Sequence, residues 1–221
     1  MSVWAIVAAA GQGDRLGADR PKAFVKLGER VLLAESLERL ERCEWIDGIV
    51  VAAPAGWEEP AILLAEELGA GKVTEVVAGG ETRSASVARA LAEVPQDAAV
   101  VLVHDAARPL VTDEVVERLV AALGEGWDGA VPGLPVPDTL KRVEHGRVVE
   151  TVPRDGLYAV QTPQAFAAPV LRAAYAAGGD DTDCAALVEA RGGRVTVVEG
   201  DSRLVKVTAP ADLAVVERWL E

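Results

Sequence analysis

The sequence is poor in cysteine and has no long apolar run, and each shortage argues against a class of protein. Its two cysteines, Cys43 and Cys184, lie far apart and neither has a C-x-x-C partner. This pattern gives no support to a zinc site or a disulfide framework. No apolar stretch approaches the roughly 20 residues that cross a bilayer, and no basic region precedes the apolar run at the N-terminus. The sequence therefore predicts a cytoplasmic protein with no membrane segment and no signal peptide.

Positive charge is also scarce. The formal net charge is −13, and only five of the 22 basic residues are lysines. Such an excess of negative charge repels the phosphate backbone, which argues against nucleic acid as a partner. Any anion that this chain binds must be held by a local cluster of cations. Each of the few lysines is therefore of interest as a compact point charge.

Apolar strand-like runs alternate with stretches of helical periodicity along the chain. Continuous apolar strands between helices are typical of a mainly parallel sheet covered on both faces. The sequence therefore predicts an α/β, Rossmann-like fold in which residues 1–221 form a single domain with a twisted sheet. The predicted strands are Val3–Ala9, Gly48–Ala53, Val73–Val77, Ala98–Val103, Gly129–Val131 and Arg194–Val198, and the predicted helices are Leu32–Cys43, Glu58–Leu68, Arg83–Ala92, Asp113–Leu123, Ala168–Ala177, Cys184–Arg191 and a last one from Pro210 to Leu220.

One region breaks this alternation. Thr139–Val143 and Val148–Val152 flank the turn His145-Gly146, which predicts a protruding β-hairpin arm at about residues 136–154. A two-stranded arm cannot bury both of its faces alone. It must lie on the parent domain or on a second subunit.

The N-terminal strand runs into a glycine-rich loop, residues 11–17, that is followed by Arg20-Pro21-Lys22. Glycine lets backbone N–H groups approach an anion, while Arg15 and Lys22 add full positive charges. The spacing fits neither the dinucleotide fingerprint nor the Walker loop. A phosphate loop of another design is predicted, and the alternative is a tight strand-to-helix connection.

Two further motifs follow predicted strands. Gly79-Gly80 with Thr82 and Ser86 resembles a helix start that could hold a ligand oxygen, although an ordinary N-cap at Thr82 explains part of it. Asp105 ends a buried strand at the sheet edge where ligands bind, which favours a Mg²⁺ ligand or an acceptor contact over a helix cap. His104 beside it is interpreted as a hydrogen-bonded structural residue.

Three cations remain open on the residues alone. The position of Arg108 before Pro109 favours an anion contact over a surface ion pair. Lys206 lies in a predicted alternating strand, Arg203–Thr208, where a lysine is usually a solubility residue. Arg154, just after the arm, is similar.

Taken together, these motifs resemble the 2-C-methyl-D-erythritol 4-phosphate cytidylyltransferase family. The loop alone fits many nucleotidyltransferases, but the motif at 104–109 together with the arm motif at 138–141 is much more specific. The resemblance covers nearly the whole chain and rests on residues 8–16, 21–22, 79–83, 104–109, 138–141, 161–164 and 206–208.

This resemblance implies that an acceptor phosphate attacks the α-phosphorus of CTP and releases pyrophosphate with Mg²⁺ present, in non-mevalonate isoprenoid biosynthesis. It also implies a homodimer, because the arm of such enzymes crosses to a second subunit. The roles that it implies are transition-state stabilisation by Arg15 and Lys22, CTP binding by Ala9, Ala10, Gly11, Gly80 and Ser86, a place beside the metal and the acceptor for Asp105, and positioning of the acceptor phosphate by Arg154 and Lys206 with help from Thr139 and Arg108. Asp14 departs from the basic residue common in the family, which bears on how tightly the triphosphate is held.

Three other functions share parts of this pattern. A ribitol 5-phosphate cytidylyltransferase would share the loop, the fold and the arm. A non-catalytic nucleotide sensor would bind CTP without releasing pyrophosphate. A dinucleotide reductase is disfavoured by the glycine spacing.

Overall fold

Eight strands form one sheet at the centre of the computed structural model, which describes residues 1–13, 16–17, 19–178 and 183–220. The strands of the described residues are β1 Val3–Ala8, β2 Lys26–Leu27, β3 Arg30–Val31, β4 Gly48–Ala53, β5 Val73–Ala78, β6 Val100–Asp105, β7 Gly129–Pro135, β8 Leu140–Glu144, β9 Arg147–Val152, β10 Tyr158–Val160, β11 Gln164–Ala167 and β12 Val195–Glu199. The order across the sheet is β10-β7-β11-β6-β1-β4-β5, and β12 pairs with β7.

The helices lie on both faces of this sheet. They are α1 Leu32–Arg42, α2 Glu58–Glu67, α3 Arg83–Glu93, α4 Asp113–Gly124, α5 Ala168–Ala176, α6 Cys184–Glu189 and α7 Pro210–Glu217. No helix in the described residues is long and apolar enough to cross a membrane.

Alternate residues of the central strands feed two separate cores. Ala5 and Val7 of β1 pack with residues of α1 and α4, whereas Ile6 packs with residues of α3, α5 and α6. Strand β1 pairs in parallel with β4 and β6, and β4 pairs in parallel with β5. Burial on both faces explains why these strands are continuously apolar. The predicted α/β, Rossmann-like fold is confirmed.

Two antiparallel strands of the central sheet were not predicted. Strand β11 lies between β6 and β7 and runs antiparallel to both, and β10 pairs antiparallel with β7. Both are short and follow the arm directly. Because β11 occupies this position, the end of β6 contacts the Gln161–Gln164 segment as well as β1.

The predicted arm is a two-stranded sheet of its own, formed by β8 and β9. Leu140 pairs with Val152 at its base and Glu144 with Arg147 near its tip. His145 and Gly146 have φ angles of 49° and 78°, the left-handed conformation of a tight turn. The use of the arm in dimerisation stays a prediction.

The predicted strand Arg203–Thr208 is wrong, because this segment joins no sheet. The amide of Leu204 donates to Asp201 O in a turn, and the amide of Val207 donates to Ala107 O. Leu204 and Val207 are fully buried beneath the loop. The apolar side chains of this segment therefore pack a loop on the domain and do not form one face of a sheet.

Candidate active site

A cavity of about 470 Å³ opens at the carboxyl ends of β1 and β6. Its wall is formed by residues 8–13, 22–23, 80–83 and 105–107, together with Ser86, Lys206 and Thr208. In an open parallel sheet this is the edge at which ligands bind. The structure thus brings together eight of the predicted site residues, which are Ala9, Ala10, Gly11, Lys22, Gly80, Ser86, Asp105 and Lys206.

Lys22 is placed in the cavity wall by the glycine loop. Its amide donates to Gly11 O at 3.2 Å, and it begins a single 3-10 turn, Lys22–Phe24. Gly13 has φ of 79°, and a Cβ added there would lie 2.7 Å from Lys22 Cβ. Gly13 therefore permits both the backbone turn and the close approach of Lys22.

The loop before α3 is fixed by two hydroxyl groups. Ser86 Oγ accepts from the amide of Gly80 at 3.0 Å and donates to Thr82 O at 2.9 Å. Thr82 Oγ1 accepts from the amide of Ala85 at 3.1 Å and caps the helix. The N-cap interpretation of Thr82 is confirmed, and the hydroxyl of Ser86 shapes the loop that faces the cavity.

Asp105 is the centre of a charge cluster in the cavity wall. Its Oδ1 accepts from Arg83 Nε at 2.9 Å, and its Oδ2 accepts from Lys206 Nζ at 2.7 Å. The residue is only 6% exposed. Burial alone would raise the pKa of this carboxyl, but the charges of Arg83 and Lys206 hold it well below its usual value. Asp105 is therefore ionised at neutral pH.

The residues present do not form a protein-built magnesium centre around Asp105. Mg²⁺ is attracted by uncompensated negative charge, whereas the charge of Asp105 is already balanced by Arg83 and Lys206, each of which contacts one of its oxygens. The described residues contain no group of three or more His, Cys, Asp and Glu side chains that could hold a metal ion. Asp105 as a metal ligand and Mg²⁺ as the cofactor stay predictions from the sequence.

A buried hydrogen-bond network clamps the loop that carries Asp105. His104 Nε2 lies 3.0 Å from Arg108 O, and His104 Nδ1 lies 3.3 Å from Thr162 Oγ1. The amide of Asp105 donates to the same Thr162 Oγ1 at 3.0 Å. Burial lowers the pKa of His104 to about 4, so its ring is neutral at pH 7. The structural interpretation of His104 agrees with this geometry.

We expect Thr162→Val to lower the free energy of unfolding by about 2 kcal/mol, because it leaves the amide of Asp105 and the Nδ1 atom of His104 without this hydroxyl as a partner in the core. Thr162→Ser keeps the hydroxyl and is the matched control. Urea unfolding measures both variants. Equal stability of the Val and Ser variants would show that the clamp contributes nothing.

Arg108 does not line the cavity in the part of the chain that the structure describes. Its Nη1 donates to Leu204 O at 2.5 Å, two residues before Lys206. Asp212 fixes the other side of this segment, since its carboxylate accepts from the amides of Thr208 and Ala209 at 2.7 and 2.8 Å. Arg108 thus holds the backbone that presents Lys206.

The remaining predicted residues lie elsewhere or cannot be placed. Thr139 and Arg154 are exposed at the base of the arm, and neither contributes to the described cavity wall. Arg154 Nη1 donates to Pro137 O. Arg15 lies outside the described residues, as does Asp14.

Arg83 was missed as a site residue, although its motif was recognised. It is the first residue of α3 and lines the cavity, with its Nε on Asp105. The only signal in the sequence was its place directly after the Gly-Gly motif. That signal does not show which carboxylate it contacts.

A glycine loop and clustered cations at the carboxyl edge of a parallel sheet fit an α/β nucleotidyltransferase. A family model described as IspD, 2-C-methyl-D-erythritol 4-phosphate cytidylyltransferase, matches residues 3–221. The chain therefore belongs to the 2-C-methyl-D-erythritol 4-phosphate cytidylyltransferase family.

Individual relatives agree with this assignment. A protein of Saccharopolyspora erythraea with the family's name is 49% identical over 225 residues, covering 100% of both chains. One of Frankia casuarinae is also 49% identical and covers 99% of this chain and 81% of its own length. The crystal structure of 2-C-methyl-D-erythritol 4-phosphate cytidylyltransferase from Thermus thermophilus superposes with a TM-score of 0.80 at 37% identity, covering 100% of this chain and 98% of that one. The predicted enzyme class and family are confirmed, and the alternative functions are not favoured.

Proposed function

We propose that this chain joins CTP to 2-C-methyl-D-erythritol 4-phosphate, giving 4-diphosphocytidyl-2-C-methyl-D-erythritol and pyrophosphate in non-mevalonate isoprenoid biosynthesis. The observation that carries the proposal is the meeting of Lys22 and Lys206 in the wall of one cavity. These lysines come from distant parts of the sequence. Together they supply positive charge to a site that must hold two anions.

The chemistry needs positioning and charge more than proton transfer. An ionised phosphate is already a nucleophile, so the enzyme must hold two anions in line and neutralise the charge that builds up. Lys22, with Arg15, would stabilise the charge at the α-phosphate and the leaving pyrophosphate. Lys206 would hold the acceptor phosphate. A neutral, fully buried His104 fits a reaction that needs no general base.

Backbone groups are proposed to bind the nucleotide. Residues 9–11 and Gly80 face the cavity from the two loops that Lys22 and Ser86 fix. Successive N–H groups in such turns form a concave site for anions. We therefore assign CTP binding to Ala9, Ala10, Gly11 and Gly80, and a loop-shaping role in the same site to Ser86.

We also propose a homodimer that uses the arm. Val143, Val148 and Val149 of the hairpin are 54%, 56% and 49% exposed. A cluster of exposed apolar side chains on a protruding hairpin is typical of an interface. Thr139 and Arg154 lie at the arm's base and would complete the cavity of the partner subunit. Magnesium and a cytoplasmic location stay predictions.

A two-acceptor assay tests the proposed reaction. The purified chain is incubated with Mg²⁺, each of the four nucleoside triphosphates, and either 2-C-methyl-D-erythritol 4-phosphate or ribitol 5-phosphate. We expect rapid pyrophosphate release with CTP and the methylerythritol acceptor. Faster turnover of ribitol 5-phosphate would overturn the acceptor assignment. CTP binding without pyrophosphate release from either acceptor would support the nucleotide sensor instead.

A further inference from the structure

The Arg83 guanidinium is held at both of its ends. Its Nε donates to Asp105 Oδ1 at 2.9 Å, and its Nη1 lies 3.4 Å from the Sγ of Cys184. Cys184 is fully buried, and its Sγ also lies 3.2 Å from the hydroxyl of Tyr175. This arrangement leaves the Arg83 side chain little freedom to turn toward a ligand.

Asp105 links Arg83 to Lys206. The thiol of Cys184 does not compensate the positive charge of Arg83. Among the described residues, the carboxylate of Asp105 does so. The other oxygen of Asp105 accepts from Lys206 Nζ. The side chain of Lys206 is 41% exposed, compared with 23% for Arg83 and 9% for Asp105. Of these three side chains in the cavity wall, Lys206, at the end of this chain of contacts, is therefore the most exposed.

Removing Arg83 or Lys206 would change how the carboxylate of Asp105 holds the cation that remains. Removing one partner leaves a buried charge less well compensated, which costs free energy. The carboxylate then holds its remaining partner more tightly or takes up a proton. An ammonium has three donors, and one donated to Asp105 leaves two for a phosphate. By occupying Oδ1, Arg83 fixes the carboxylate while Lys206 stays able to share its charge.

We propose that Arg83 is a positioning residue for the acceptor phosphate, acting through Asp105 on Lys206. This inference rests on the proposed function, because it needs an acceptor phosphate at Lys206. It gives Asp105 a role that differs from metal binding. Its carboxylate orients one lysine and is itself oriented by one arginine.

A double-substitution cycle tests this coupling. The variants are Arg83→Gln, Asp105→Asn and the combination of the two, assayed with CTP saturating and the acceptor varied. We expect each single substitution to lower kcat/KM for the acceptor by roughly 10- to 100-fold. The kcat/KM of the combined variant should be no more than about threefold below that of the less active single variant. The effects of substituting residues that act as one unit are not additive.

Two controls separate positioning from a loss of structure. Arg83→Lys retains a cation within reach of Asp105 and should recover most of the lost kcat/KM, and the KM for CTP should change less than about threefold in every variant. Arg42→Gln removes an exposed arginine of α1 and should change neither constant. Thermal unfolding and acceptor titration by calorimetry, with an unreactive CTP analogue bound, show that each variant is folded and whether it binds.

The outcomes are distinguishable. An unsubstituted enzyme that neither binds the acceptor nor releases pyrophosphate would overturn the proposed function and this inference together. An active enzyme in which the Arg83→Gln loss multiplies in the Asp105→Asn background would overturn the inference alone, since Arg83 would then act on the substrates directly. Equal losses in the Lys and Gln variants would do the same.

Discussion

Replacing Lys22 with alanine is expected to lower kcat by about 10²- to 10³-fold, in the range seen when a single oxyanion donor is lost. Lys22 lies in the cavity wall, with its amide on Gly11 O and its side chain packed against Gly13. Its charge matters most as negative charge builds up on the phosphate oxygens during transfer. An interaction made mainly in the transition state lowers kcat and kcat/KM together when it is removed.

Lys26→Ala is the matched control for this prediction. Lys26 is exposed four residues further along the chain and is absent from the described cavity wall. The Lys26→Ala substitution removes the same charge from the protein as Lys22→Ala, so the net charge is equal in the two variants. Initial rates of pyrophosphate release at saturating substrates measure both. Undiminished turnover by the Lys22→Ala variant would show that Lys22 has no role in the reaction.

The central sheet could be predicted because its strands are buried on both faces. Strands such as β1 and β4 are continuously apolar and stand out against the helices between them. The short strand β11 could not be predicted, because four residues that include the polar Gln164 are too few to show a strand pattern. The segment Arg203–Thr208 was predicted wrongly because its short mixture of apolar and polar residues resembles a strand, although the loop buries Leu204 and Val207, three positions apart.

The phosphate loop is local in sequence, and this is why its residues could be proposed from their pattern. The cluster at Asp105 is different, because its partners lie 22 and 101 positions away. Charge pairing over such distances depends on the fold, and a lone aspartate at a strand end is equally compatible with a metal ion. The sequence therefore predicted the sheet edge at which the cavity lies and eight residues of its wall, but not the contacts that set the electrostatics of Asp105.

The proposed exchange of arms between subunits predicts that two inactive variants recover activity when they are coexpressed. Lys22→Ala inactivates the cavity of its own subunit, whereas Arg154→Ala would inactivate the cavity of the partner. When the two inactive variants are coexpressed, a mixed dimer has one cavity with both defects and one with neither. Random pairing in equal amounts then returns about a quarter of the unsubstituted activity, although each parent alone is nearly inactive.

A second pairing serves as the control for this experiment. Lys22→Ala and Lys206→Ala both change the cavity of their own subunit, in which the two lysines line the same wall. A mixed dimer of these variants has one defect in each cavity, so no activity should return. Pyrophosphate release by the whole coexpressed population, purified without separating the mixed dimers, measures both pairings. Recovery in neither pairing would show that Arg154 serves its own subunit, because each cavity of every dimer would then keep one defect.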